Sequence, residues 1–227
     1  MIIELAGNRL QMRPDRSLWW PARRTVLVAD VHLGKDQVFR RAGVAIPGAV
    51  LDGELAALDG LLEATGAERL VVLGDWVHAA PGDEDAWPHA VARWRARHAA
   101  LDLVLVAGNH DRGLLPWLDR WRMTNWPDGT MLDGLELTHE APLDVPPPGL
   151  SGHVHPVVRL GGRGDRLRLP AFARKDEHLI LPAFGRFTGG GEGLERSGWS
   201  FYPVSPDRVF ALDGRPRDGS GRGPFAG

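Results

Sequence analysis

Three short apolar runs, at residues 25–29, 69–73 and 101–107, set the rhythm of the chain, and each stops at a polar residue. The first stops at Asp30, the second at Gly74-Asp75 and the third at Gly108-Asn109-His110-Asp111. Such runs read as buried strands that deliver their polar termini to one edge of a sheet. Between the first two, Leu51, Leu55, Leu58 and Leu62 recur at helical spacing and predict a helix over residues 49–65, closed by Gly66. Asp83 and Asp85 introduce a second helix with Trp87, Val91, Trp94 and His98 on one apolar stripe. Leu114, Leu115, Trp117, Leu118 and Trp121 predict a short third helix around Pro116. His98 and these tryptophans read as core.

The flanks are less regular. Leu10, Met12, Leu18, Trp19 and Trp20 alternate loosely and read as one or two edge strands, and residues 34–47 read as a long connection. Beyond residue 130 short strands and turns take over. A strand over 135–138 ends in His139, and a Pro-rich loop leads to Gly152-His153-Val154-His155. Residues 157–160 and 166–170 predict a hairpin across 161–165, followed by strands at 179–181 and 201–204. Residues 213–227 carry too little apolar content to pack, so a disordered tail is expected behind a single domain of residues 1–212.

Composition narrows the class. With 43% hydrophobic and 25% charged residues the 227-residue chain matches an ordinary globular protein. The N-terminus lacks the basic start and apolar stretch of a signal peptide, no membrane span is visible, and a cytoplasmic location is expected. There is no cysteine, so any metal must use His, Asp, Glu or Asn. A net charge of −2 argues against holding nucleic acid by bulk electrostatics, although arginines between residues 159 and 196 give a weak local excess.

The chemistry collects at the strand ends: Asp30 and His32, Asp75, Asn109 and His110, His139, then His153 and His155. On an extended backbone the Asp-x-His spacing puts Asp30 and His32 on one side. Ligands of open α/β sheets bind outside the carboxyl ends of strands, so these groups can converge. The inventory exceeds the needs of one metal ion and suits two, which at about 3.5–4 Å apart clamp a phosphorus centre for in-line displacement.

Asp30-x-His32, Gly74-Asp75, Gly108-Asn109-His110-Asp111, His139 and Gly152-His153-x-His155 resemble, in order, the five motifs of the calcineurin-like metallophosphoesterases. The resemblance implies a four-layer αββα sandwich with two central mixed sheets. It implies a first metal on Asp30, His32 and His155, a second on Asn109, His139 and His153, and Asp75 as bridge. His110 matches the residue that stabilises the transition state or protonates the leaving oxygen, with a bound water or hydroxide as nucleophile. Asp111 either orients His110 or forms the turn. Where protein phosphatases continue the Gly-Asp motif with Asp and Arg-Gly, this chain has His78, Ala79 and Ala80, which argues against that class. His78 itself reads as an exposed loop residue.

Residues 18–24, His32-Leu33-Gly34-Lys35, residues 39–43 and residues 181–190 are similar to the ligase-associated DNA damage response endonucleases. That similarity implies a bacterial, usually manganese-dependent phosphodiesterase or nuclease associated with a DNA ligase, a helicase and an exonuclease-like protein. Fe, Zn or Co would also suit the mixed ligands. Lys35, Arg40, Arg41 and Arg186 are candidate phosphate contacts. The same core would serve a phosphatase or pyrophosphohydrolase of a small molecule, and a non-catalytic metal-binding scaffold is the remaining alternative.

Overall fold

The computed structural model describes residues 1–45, 50–82, 84–161, 167–186, 188–189, 194 and 198–212. The expected tail, the tip of the 157–170 hairpin, Asp83, Phe187 and Gly190 lie outside the described residues. Three strands, β1 (Ile2–Leu5), β2 (Asn8–Met12) and β3 (Leu18–Trp20), form an antiparallel meander that continues into β4 (Thr25–Val28). From β4 the sheet turns parallel, through β5 (Arg69–Leu73) and β6 (Asp102–Val106) to β7 (Met123–Trp126). The first twenty residues thus hold three strands where the pattern suggested one or two.

The three apolar runs are buried on both faces because each face has its own partner. Val26, Val28, Leu70, Val72, Leu103 and Leu105 pack against the helices. Leu27, Ala29, Val71, Leu73, Val104 and Val106 pack against a second sheet. The helices are α1 (Lys35–Arg41), α2 (Val50–Thr65), α3 (Trp87–Arg97) and α4 (Leu115–Leu118). Leu51, Leu55, Leu58 and Leu62 of α2, with Trp87, Val91 and Trp94 of α3, meet the outer face of the first sheet as their spacing predicts. His98, at the end of α3, is half-buried and bonded to Asp59 at 2.6 Å instead of filling the core.

The second sheet contains β8 (Thr130–Leu132), β9 (Leu135–Leu137), β10 (Gly149–Ser151), β11 (Val157–Leu160), β12 (Leu167–Lys175), β13 (His178–Ile180) and β14 (Ser200–Pro203). Its order is β11-β12-β13-β10-β9-β8, with β14 also on β12. It is mixed, since β10 runs parallel to β9 and β13 while the other pairs are antiparallel. Leu135, Leu137, Leu150, Phe172, Leu179 and Leu181 face the first sheet, so the two sheets bury a common core. On its other side Ala173, Ile180 and Trp199 gather Leu143, Val154, Leu194 and Phe201. The molecule is a sandwich of two mixed sheets with flanking helices. Among the described residues no helix is long and apolar enough to cross a membrane.

Helix α1 and strand β7 are among the elements that escaped the sequence reading. Helix α1, in the expected connection, buries only Asp36, so it carries no apolar stripe. Strand β7 buries Met123 and exposes Thr124 and Asn125, as an edge strand can.

Phe172, wholly buried between the sheets, tests this architecture. Phe172→Ala is expected to cost about 3–5 kcal/mol in urea unfolding. Leu167→Ala, at an exposed site on the same strand, is expected to stay within about 0.5 kcal/mol.

Candidate metal centre

Beyond β4 and β5 the chain leaves regular sheet, yet the two segments stay paired. The amide of Asp30 donates to the Gly74 carbonyl (3.1 Å), that of His32 to Asp75 (2.9 Å) and that of Leu33 to Trp76 (2.9 Å). Along this ladder the backbone is not extended. Asp30, His32 and Asp75 have φ of 54°, 53° and 51°, and His153 and His155 have 67° and 50°. Asp30 and His32 do share one side, but left-handed backbone at both positions puts them there, in place of the extended alternation expected. Each such residue costs about 1–2 kcal/mol and persists because its surroundings hold it.

Two groups of ligand atoms result. Asp30, His32 and His155 place theirs within 4.8 Å of one another, and so do Asp75, His139 and His153. Asn109 Oδ1 joins the second group, 3.0 Å from His139 Nε2. Asp75 faces both: its Oδ2 is 3.8 Å from His32 Nε2 and its Oδ1 is 3.6 Å from His139 Nε2. The structure therefore brings together all seven residues singled out as ligands, in the grouping the resemblance implied. Small residues make room. A Cβ on Gly74 would stand 1.9 Å from His139 Nδ1, and one on Gly108 would stand 2.3 Å from Asp75 Oδ1.

The donor set fits divalent cations. His139 Nδ1 donates to the Leu73 carbonyl (3.1 Å) and His155 Nδ1 to that of Gly189 (3.0 Å), which leaves each Nε2 lone pair facing its group. His153 Nδ1 stands 3.1 Å from His139 Nε2, so several lone pairs converge where a cation would satisfy them. Both ring nitrogens of His32 are buried without a hydrogen-bond partner. An orphaned imidazole of this kind calls for a ligand. Burial, with Lys35 and the neighbouring histidines, lowers its pKa to about 2, so it stays neutral as a metal ligand must. His155 moves the other way: burial opposes its charge, but the hydrogen bond and charge of Asp30, 3.2 Å away, outweigh that and raise its pKa.

His110 lies beside both groups without being a member of either cluster around Asp75. Its amide donates to Asp75 Oδ1 (2.9 Å), and its Nδ1 donates to the His78 carbonyl (2.7 Å), leaving Nε2 available. The His78 ring stacks on His110 at 4.9 Å and on Phe39 of α1 at 6.3 Å. His78 is thus half-buried against the site, not an exposed loop residue, and burial followed by Lys35 and His110 lowers its pKa to about 4. Its ligand atom also groups with those of His32 and His110. Asp111 does not orient His110. Its carboxylate accepts from the amides of Gly108 (2.8 Å) and Val77 (3.2 Å) and ties the two loops together.

The candidate phosphate contacts separate. Lys35 is half-buried near the metal residues, where burial lowers its pKa against the pull of Glu54 and Asp75. Arg40 pairs with Asp36 at 3.4 Å and Arg41 pairs with Asp85. Arg186 lines a cavity beside His155, together with Arg16. Sequence reasoning missed Arg16, which has no local signature, and Glu54, whose place on the apolar stripe of α2 between Leu51 and Leu58 was a legible signal.

Residues 23–164 match the family model described as calcineurin-like phosphoesterase. The crystal structure of the Pseudomonas putida nuclease MPE is 40% identical, covers 93% of this chain and 99% of that one, and has a TM-score of 0.78. The phosphoesterase YfcE from E. coli is 17% identical over 82% of this chain and 96% of that one, with a TM-score of 0.41. No curated protein matches the chain.

Manganese added to metal-free protein is expected to raise Tm, because a ligand of the folded state stabilises it. Gly108→Ala, which drives a methyl group into Asp75, is expected to abolish most of that rise while far-UV circular dichroism stays native-like. A full rise in the variant would contradict the tight fit. Without metal, the unfolded chain protonates His32 near pH 6.5 while the folded state does not until about 2. Between these values the unfolded state binds the extra proton, so stability falls with falling pH, by about 1.4 kcal/mol per unit from this residue. Urea midpoints between pH 7 and 5.5 are expected to fall less steeply in His32→Asn.

Proposed function

The chain belongs to the calcineurin-like phosphoesterase family and is a hydrolase acting on phosphoesters, and from that premise we propose that it is a two-metal phosphodiesterase cleaving nucleic acid. The observation that carries this reading is the pair of ligand groups sharing Asp75, with His110 fixed beside them by the His78 carbonyl. Asp30, His32 and His155 would hold one cation and Asn109, His139 and His153 the other. When bound, two divalent cations neutralise phosphate charge and lower the pKa of an attacking water. Manganese is the proposed ion; nitrogen and oxygen donors without sulfur also accept Fe, Zn or Co.

The protein's own part is positioning and proton transfer. The His78 carbonyl holds the His110 Nδ1 proton, so in the imidazolium form the second proton sits on Nε2. As the P–O bond breaks, that proton passes to the leaving oxygen and neutral imidazole remains. The Phe39–His78–His110 stack keeps the ring from swinging away. The 40% identity to a protein named as a nuclease supports nucleic acid as substrate. Endonuclease action on DNA in repair, beside a DNA ligase, a helicase and an exonuclease-like protein, is proposed from the flanking motifs.

His110→Ala is expected to lower kcat on bis(4-nitrophenyl) phosphate by about 10²–10⁴-fold. Metal content, measured by mass spectrometry of the loaded protein, should not change. Near-normal turnover would refute the role of His110. A preference of the wild type for the 4-nitrophenyl monoester would move the function to a phosphatase or pyrophosphohydrolase of small molecules.

A further inference from the structure

Beside the metal centre, with His155 as the shared wall, lies a cavity of about 260 Å³. Arg16, Arg168 and Arg186 line it with Thr188 and Gly189, and no carboxylate lines it among the described residues. Three guanidiniums gathered around one space repel each other unless an anion enters. The repulsion registers on Arg16, whose pKa is lowered by burial and then by Arg186.

The arrangement is built, not incidental. Arg16 sits in left-handed backbone at φ 68°, in a turn closed by its amide on the Arg13 carbonyl (3.1 Å). Its Nη1 lies against the carbonyls of Ala183, Phe184 and Gly185 at 3.3, 3.4 and 3.3 Å, which docks the turn on the segment that carries Arg186. The nearby carboxylate of Asp15 is taken by Arg13 at 2.8 Å and by Ser17. Among the described residues Arg168 and Arg186 form no ion pair, whereas Arg40 and Arg41 of α1 both do. Glu54 lines only the adjoining cavity with Arg16 and Arg186, and burial followed by Asp36 raises its pKa to about 8 against the pull of Lys35 and Arg186.

We propose that this cavity is a subsite for a second phosphate of a nucleic acid strand, the one flanking the scissile phosphate on the His155 side, held by Arg168 and Arg186 with Arg16 behind them. The inference rests on the phosphodiesterase reading and adds to it a direction for the strand across the site. His155 both lines the subsite and belongs to the Asp30 and His32 group, so a strand with one phosphate at that group can set a neighbouring phosphate here. The cavity is smaller than a pocket for a whole drug-sized ligand. Among the described residues its lining holds no Phe, Tyr or Trp, and its three guanidiniums suit a phosphate of the backbone.

The test compares the wild type, Arg168→Ala/Arg186→Ala and Arg168→Lys/Arg186→Lys. Fluorescence anisotropy of a fluorescein-labelled single-stranded oligonucleotide, in EDTA, reads binding without turnover. The alanine variant is expected to bind at least tenfold more weakly, and its slope of log affinity against log salt should flatten by about 0.7, the share of one single-strand phosphate contact. The lysine variant should recover part of the binding. With manganese, the ratio of kcat/KM for the oligonucleotide to that for bis(4-nitrophenyl) phosphate, which has no flanking phosphate, should fall at least tenfold in the alanine variant. An unchanged ratio beside active wild-type enzyme, or wild-type protein that does not bind the oligonucleotide, overturns the subsite and leaves the phosphodiesterase reading standing. A wild type that hydrolyses neither diester overturns both.

Discussion

One carboxylate, that of Asp75, holds the site together. Its two oxygens face His32 on one side and His139 on the other, and one of them also accepts the His110 amide. Metal groups and proposed acid are thereby referred to a single side chain that is almost fully buried. Such a position is costly for a charge without compensation. Cations on either side would supply that compensation, and the same residue would then serve as bridge and as reference point for the proposed acid, His110. The left-handed backbone at Asp75, Asp30, His32, His153 and His155 follows from the same demand: side chains from separate loops must meet at one point.

The fold provides what those loops need. Strands β4, β5 and β6 are parallel, so their polar ends emerge at one edge, and the face-to-face packing of the second sheet brings His139, His153 and His155 to the same edge. Hydrogen bonds cross between the sheets at the site itself, from the Phe184 and Gly185 amides to the Ala29 and Asp30 carbonyls. The His153 amide donates to the Asp30 carboxylate at 3.0 Å. This phosphoester hydrolase thus spreads its candidate ligands over much of the chain and relies on core packing to bring them together.

The central strands were legible because burial on both faces leaves an unbroken apolar run, and α2 because four leucines keep helical spacing. The seven candidate ligand positions and His110 could be named because polar residues gather abruptly at strand ends, in the order of the family's motifs. Local charge hid α1, and exposure hid β7. The left-handed conformations were not legible in the sequence, since Asp and His, although enriched there among non-glycine residues, mark such backbone far more weakly than Gly does. His78 and Asp111 were misjudged or left open for a related reason: their roles run through a backbone carbonyl and two backbone amides, which no side-chain pattern announces. Arg16 comes from a left-handed turn just before the 18–24 stretch, and only the tertiary fold sets it beside Arg186.

The central claim is that Asp75 stands between two cations held by the two histidine groups. A crystal of the protein soaked in manganese, with anomalous differences collected at the manganese edge, measures this directly. The account predicts two peaks about 3.5–4 Å apart, one beside Asp30, His32 and His155, the other beside Asn109, His139 and His153, with Asp75 touching both. A single peak, or manganese bound away from Asp75, would contradict it.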